Sequence, residues 1–247
     1  MTQTSLAATG VRIGNFRMGA VISRSTSLLW RHFPTFFVVG LIASAPILLQ
    51  SSTAERMDEI SGQLLWLMFI LVLLMVFSTI GQAVVMHGAF QDMRRGPVRL
   101  VDSLNVVLRC FWALIGLALA GLLAVLGLML LMVPGLILST LWFVGVPACI
   151  VEQLGPWTSL RRSRELIEGH RWKVFGLTVL LVIGNIAGSL VEWWVTAAMS
   201  PIVADVGALM WTGIWTAFTA TTTIVTYHDL RVAKEGRDIE QIAVVFD

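Results

Sequence analysis

Residues 111–151 read FWALIGLALAGLLAVLGLMLLMVPGLILSTLWFVGVPACIV, without one Asp, Glu, Lys or Arg. A helix rises about 1.5 Å per residue, so this run would reach roughly 60 Å, about twice the ~30 Å hydrocarbon layer of a bilayer. It is too long for one crossing and too apolar for the core of a small water-soluble domain. Val133-Pro134-Gly135 supplies a break near its middle. The run therefore reads as two spans, 111–132 and 136–151, with Pro147 placed to kink the inner end of the second. The apolar residues are continuous and do not alternate, which excludes lipid-facing barrel strands.

Four more stretches flank this hairpin. They are 33–49, with Pro34 in its first turn, 64–90, 174–190 and 206–227. The second is long enough to tilt or to project beyond the membrane. Composition agrees: 13% of residues are charged, against about a quarter in a soluble domain, and 57% are hydrophobic. Mean hydropathy is +0.83. The expected fold class is all-α, a polytopic membrane protein of six transmembrane helices. The expected division is a flexible amino-terminal segment 1–14, a six-helix membrane domain 15–231 and a cytoplasmic tail 232–247. No cleavable leader is expected, because a polar, Arg-bearing segment precedes Phe33.

Basic residues orient the chain. Arg12, Arg17, Arg24 and Arg31 precede the first span, and Arg94, Arg95, Arg99 and Arg109 follow the second. Arg161, Arg162, Arg164, Arg171 and Lys173 follow the fourth, and Arg231, Lys234 and Arg237 follow the sixth. On the other side stands Arg56, among Glu55, Asp58 and Glu59. A miscounted span would scatter these groups over both faces. The pattern puts both termini in the cytoplasm of a bacterial-type inner membrane. Trp30, Trp112, Trp157 and Trp172 mark the inner interface, and Trp66, Trp193 and Trp194 the outer.

Three basic segments have the pattern of amphipathic helices lying on the membrane. Met18, Val21, Ile22, Leu28 and Leu29 share one face of the first, with Arg17, Arg24 and Arg31 on another. Gly96-Pro97 opens the second, with Leu100, Val101, Leu104, Val107 and Leu108 on one side. Gly155-Pro156 opens the third, where Trp157, Leu160, Leu166 and Ile167 oppose Arg161, Arg162, Glu165 and Glu168. Each leads into a pair of spans. Two readings stand: a threefold internal repeat related by an axis along the membrane normal, or the ordinary basic inner loops of a polytopic chain.

Val133-Pro134-Gly135, Val146-Pro147-Ala148, Val151-Glu152 and Leu154-Gly155-Pro156 lead into a basic helix. With Tyr227-His228-Asp229-Leu230-Arg231 and Lys234-Glu235-Gly236 they carry a resemblance to the glycerophosphoryl diester phosphodiesterase membrane-domain family. The resemblance implies a membrane domain that accompanies a soluble phosphodiesterase barrel in some members. No segment outside the spans is long enough for such a barrel, so its activity is not carried over.

Reactive sets are missing from the sequence. His32, His87, His170 and His228 form no i, i+3 or i+4 pair, and zinc needs three or four converging ligands. Serine elbows, phosphate loops and His-Glu zinc motifs do not occur. No catalytic, cofactor-binding or metal-binding residue is expected, and the chain is expected not to be an enzyme. Cys110 and Cys149 offer no disulfide framework. Gly184 with Gly188, and Gly116 with Ala120 and Ala124, have the small-residue spacing of helix packing.

Three groups remain as site candidates. Arg94, Arg95, Arg99, Arg161, Arg162 and Arg164 are candidates for contact with anionic lipid headgroups or with a partner. Gln82, His87, Asn185, Thr212, Thr216 and Thr219 are candidates for the bundle interior, lining a polar path or bonding helix to helix. Glu152, Asp229 and Arg231 are candidates for an inner-face charge network, structural or ligand-binding. The expected partners are membrane lipids, with a protein partner or a second copy as a further option, and no nucleic acid. The expected role is envelope maintenance or support of transport, and the alternative is a small-solute or lipid transporter. In a background free of other cysteines, Arg99→Cys should react with an impermeant maleimide in inverted vesicles and stay unlabelled in intact spheroplasts. Labelling from outside would overturn the topology.

Overall fold

The computed structural model describes residues 18–47, 60–94, 96–197 and 199–246; at 47, 60, 61, 128, 129, 132, 134, 201 and 236–246 it describes backbone alone. The segment 1–14, Arg12, Arg17, Arg56 with its acidic neighbours, and Arg95 lie outside the described residues. The protein is all-α and polytopic. Four helical stretches are long and apolar enough to cross a membrane, and six when each of two bent pairs counts as one span.

The chain runs through α1 (Met18–Arg31), α2 (Phe33–Ser44, closed by a 3-10 turn Ala45–Ile47) and α3 (Ile60–Met93). It continues through α4 (Leu100–Arg109), α5 (Phe111–Leu130), α6 (Met132–Trp142) and α7 (Gly145–Glu152). It ends with α8 (Pro156–Ile167), α9 (Arg171–Thr196) and α10 (Pro201–Phe246). Helix α1 meets α2 at 93°, and α4 meets α5 at 77°. The 232–247 segment begins as a direct continuation of the last span, because α10 runs unbroken to Phe246.

Proline positions the breaks. The chain leaves the helix at Leu131, with φ −143° and ψ 92°, just before Val133-Pro134-Gly135. Pro134 thus falls in the first turn of α6, where its missing N–H costs nothing. Gly127 lies beside Gly135 across the turn, with 3.5 Å between the position of a Cβ and the facing Cα. The fourth span is two helices, not one kinked helix. It opens at Phe143-Val144, because Pro147 has no N–H for the Phe143 carbonyl and its ring crowds that turn. The freed carbonyl of Leu141 accepts a 2.7 Å bond from Ser163 Oγ.

Backbone and burial repeat three times. Ser25, Ser103 and Ser163 are fully buried in α1, α4 and α8. Four residues on come buried Leu29, Val107 and Ile167. Seven on come His32, Cys110 and His170, each the cap of the next helix, with φ of −120°, −92° and −125°. Eleven on come buried Phe36, Leu114 and Val174. In the third unit the turn also uses Gly169 at φ 88°, a conformation that favours glycine.

The three units pack in cyclic order. The outbound span of each lies against the returning span of the unit before it: α5 on α3, α9 on α6, and α2 on α10. The interfacial helices follow the same rule: α4 on α3, α8 on α7, and α1 on α10. The returning helices α3, α7 and α10 meet one another inside the ring. Helices α2 and α10 approach backbone to backbone, where a Cβ on Gly40 would run into the Gly213 carbonyl. That neighbour is backbone and cannot step aside. Gly40→Ala should therefore destabilise the bundle by about 1–3 kcal/mol, read from reversible unfolding in mixed micelles. Gly121→Ala, which faces open space, should leave stability within about 1 kcal/mol of the parent.

Candidate functional site

Charge gathers at the basic face where α7, α8 and α10 meet. Arg162 Nε donates to both Glu152 oxygens, at 3.0 and 3.1 Å. Tyr227, the single tyrosine of the chain and fully buried, donates its hydroxyl to Glu152 at 2.7 Å. Arg162 Nη2 reaches Glu235 at 3.3 Å, and Arg231 Nε reaches the same carboxylate at 2.8 Å. Lys234 Nζ donates to the Glu165 carbonyl. The structure thus joins Glu152 and Arg231 in one network, through Arg162 and Glu235. Asp229 stands outside it and pairs with Arg24 of α1 at 3.0 Å. Glu235, Lys234 and Tyr227 were not among the candidates. The Arg231–Glu235 spacing of four on one helix is a signal for Glu235; the partners of Lys234 and Tyr227 lie on other helices and leave none.

The basic candidates divide. Arg162 is drawn inward, with 27% of its side chain exposed, whereas Arg161 on the same helix is 81% exposed and pairs with its neighbour Glu165. Arg94, Arg99 and Arg164 are exposed. Arg94 lies 5.5 Å from the Phe90 ring centroid. Trp30, Trp112, Trp157 and Trp172 stand out from the same level.

The bundle-interior candidates divide as well. His87 lies at the α3–α4 joint, 3.0 Å from Ser103 Oγ and 3.3 Å from Gln91. Gln91 Oε1 in turn accepts from the Arg99 backbone N–H at 2.8 Å. Gln82, Asn185 and Thr219 come together, with Thr178 and Thr223, around a crevice of 270 Å³. Thr212 and Thr216 do not line it. The threonine hydroxyls do not bond helix to helix. Thr219 donates to Trp215 O at 2.9 Å and Thr223 to Thr219 O at 2.7 Å, both inside α10. Thr221, Thr222 and Thr226, which sequence reading passed over, do the same and are fully buried.

No family model, curated protein or solved structure matches the chain. Among the described residues no three His, Cys, Asp or Glu side chains converge as a metal ion would require. The two cysteines are buried at the junction of α4, α5 and α7, where Cys110 Sγ lies 3.5 Å from Gln153 Oε1 and Cys149 Sγ 3.3 Å from the Leu154 carbonyl.

The network fastens α8 and α10 to the end of α7. Arg162→Ala strands the Glu152 carboxylate beside a buried tyrosine. It should cost about 1.5–3 kcal/mol, as for a hydrogen bond to a charged group. Arg161→Ala removes only an exposed pair and should stay within about 0.5 kcal/mol. Unfolding of the two variants in the same micelles compares them directly.

Proposed function

We propose that this chain is a non-catalytic integral protein of a bacterial-type inner membrane, with both termini cytoplasmic, whose interfacial helices hold anionic lipid. Envelope maintenance, or support of a transport assembly, is the role that this activity serves. One observation carries the reading: the arginines of α8 are sorted. Arg162 is consumed by the bundle, while Arg161 and Arg164 stay at the surface beside exposed Trp157 and Trp172. Cations beside interfacial tryptophans at one membrane level match the headgroup region of an anionic leaflet, at about 1 kcal/mol per basic residue.

Kinship with the barrel-less members of the glycerophosphoryl diester phosphodiesterase membrane-domain family belongs to the same proposal. Its support is that the two stretches carrying the resemblance touch, through Tyr227 and Glu152.

The transporter reading draws support from the polar crevice. Against it stand fully buried Met86, Leu177 and Ile224, which close the core on the side of the charge network.

The lipid reading predicts selectivity. Replacing Arg99, Arg161 and Arg164 by Gln should lower the preference for spin-labelled phosphatidylglycerol over phosphatidylcholine. The expected loss is about fivefold for each arginine that contacts lipid, the equivalent of about 1 kcal/mol. Unchanged selectivity would remove the proposal.

A further inference from the structure

We propose that the crevice between α3, α7, α9 and α10 binds the uncharged, hydroxyl-bearing head of an amphiphile whose tail stays in the bilayer. This is a separate site from the arginine-rich face, and it stands without the lipid-holding reading above.

The crevice has a floor and a mouth. Met86, Thr178, Leu181 and Thr223 are buried at its base, whereas Asn185 at its edge is exposed. Asn185 lies fourteen residues into α9 from Arg171, about 21 Å along the helix axis. That depth falls inside a hydrocarbon layer of ~30 Å. A carboxamide there has no water to bond, and Asn185 has no hydrogen-bond partner among the described residues. An unpaired polar group in hydrocarbon costs several kcal/mol, so a ligand that satisfies it is strongly favoured.

The lining specifies the head. It contains no Asp, Glu, Lys, Arg or His. A charged head would enter without a counter-charge at a depth where an unpaired ion is expensive. Thr178, Thr219 and Thr223 each spend their one proton on a carbonyl of their own helix. Their oxygens therefore face the crevice as acceptors. Gln82 Nε2 spends one of its two protons on Ser78 Oγ at 2.9 Å, and its carbonyl oxygen remains as another acceptor. An acceptor-rich, uncharged lining calls for a donor-bearing, uncharged head, and hydroxyl groups supply it. They also accept, which suits the Asn185 amide N–H. The volume of 270 Å³ equals the liquid volume of about nine waters, which sets the size of the head.

Access comes from the bilayer. The buried base closes the crevice on the side of the charge network. Asn185 opens the crevice edge to the lipid side of α9, where the neighbouring Ile186 is exposed and supplies apolar surface for an alkyl tail. A tail on that surface leaves its head level with Asn185.

The test uses the whole protein in nanodiscs and a long-chain alkane diol carrying a diazirine. Photolabelling should mark Val146, Leu181 or Val182. Excess unlabelled diol should abolish it, and a methyl ester of the same chain length should not. Asn185→Leu and Thr219→Val, the latter nearly isosteric, should each weaken labelling about fivefold, one hydrogen bond's worth. Equal competition by the methyl ester, or labelling confined to the lipid-facing surface, overturns the proposal. Competition by ethylene glycol at matched concentration overturns it too, since the ligand is then a soluble polyol. The competition arms need only the parent protein, so a variant that misfolds leaves the test intact.

Discussion

Hydrocarbon offers no partner to a backbone N–H or C=O, and four of the breaks among the described residues are arranged around that shortage. The three turns between interfacial helices and spans fall at His32, Cys110 and Gly169-His170, beside the basic residues and exposed tryptophans of the headgroup level. The one break deep in a span, at Phe143-Val144, is covered from outside the span. Ser163 of the following unit reaches back to the Leu141 carbonyl. A proline that would otherwise leave bare acceptors in the bilayer is tolerated because a buried serine of α8 lies against it. Packing of one unit on the next is thus also what completes the hydrogen bonding of the backbone.

The same joint recurs with one exchange of charge. Arg24 and Arg162 each stand immediately before a buried serine, and each bonds an acid on the preceding unit's returning helix, Asp229 and Glu152. In the second unit that place is held by Asp102, before Ser103. The acid it would face is Asp92, and two carboxylates cannot pair. Asp92 turns instead to Arg31 and His32, at 3.3 and 3.0 Å. The α3–α4 joint is left to neutral bonds, His87 with Ser103 and Gln91 with the Arg99 backbone. Where charge complementarity is lost, polar neutral groups take over its positioning role at the same register.

The spans were legible because apolar length is a one-dimensional property: each of the six stretches expected at 33–227 corresponds to observed helix over its described residues, the fourth with a break at Phe143-Val144. What a helix face meets is not one-dimensional. Gly184 and Gly188 have the spacing of a packing groove, but the groove is filled by Trp215 and Trp211 of α10, one ring over each glycine. Nothing in the glycines tells a neighbouring helix from a second copy. Arg161, Arg162 and Arg164 are equivalent by type, and only the position of Glu152 on a different helix distinguishes the middle one. The threonines of α10 read as interhelical glue or as a polar path; their protons go to their own backbone, an option equally open to any mid-helix threonine.

Register in the repeat also bears on the crevice. Ten residues before the acids Asp92, Glu152 and Asp229 stand Gln82, Trp142 and Thr219. All three can hydrogen-bond, and they stand at one register on the three returning spans, Trp142 at the end of α6. The indole nitrogen of Trp142 is buried there without a partner among the described residues. A polar layer in the middle of an apolar bundle weakens packing unless something uses it. The outbound helices do not share the pattern: twenty-two residues after the buried serines come Ile47, Val125 and Asn185. A carboxamide faces the layer from one unit of three. Threefold repetition supplied the layer, and departure from it at Asn185 gives the crevice a single polar wall, so that one small head fits and three do not.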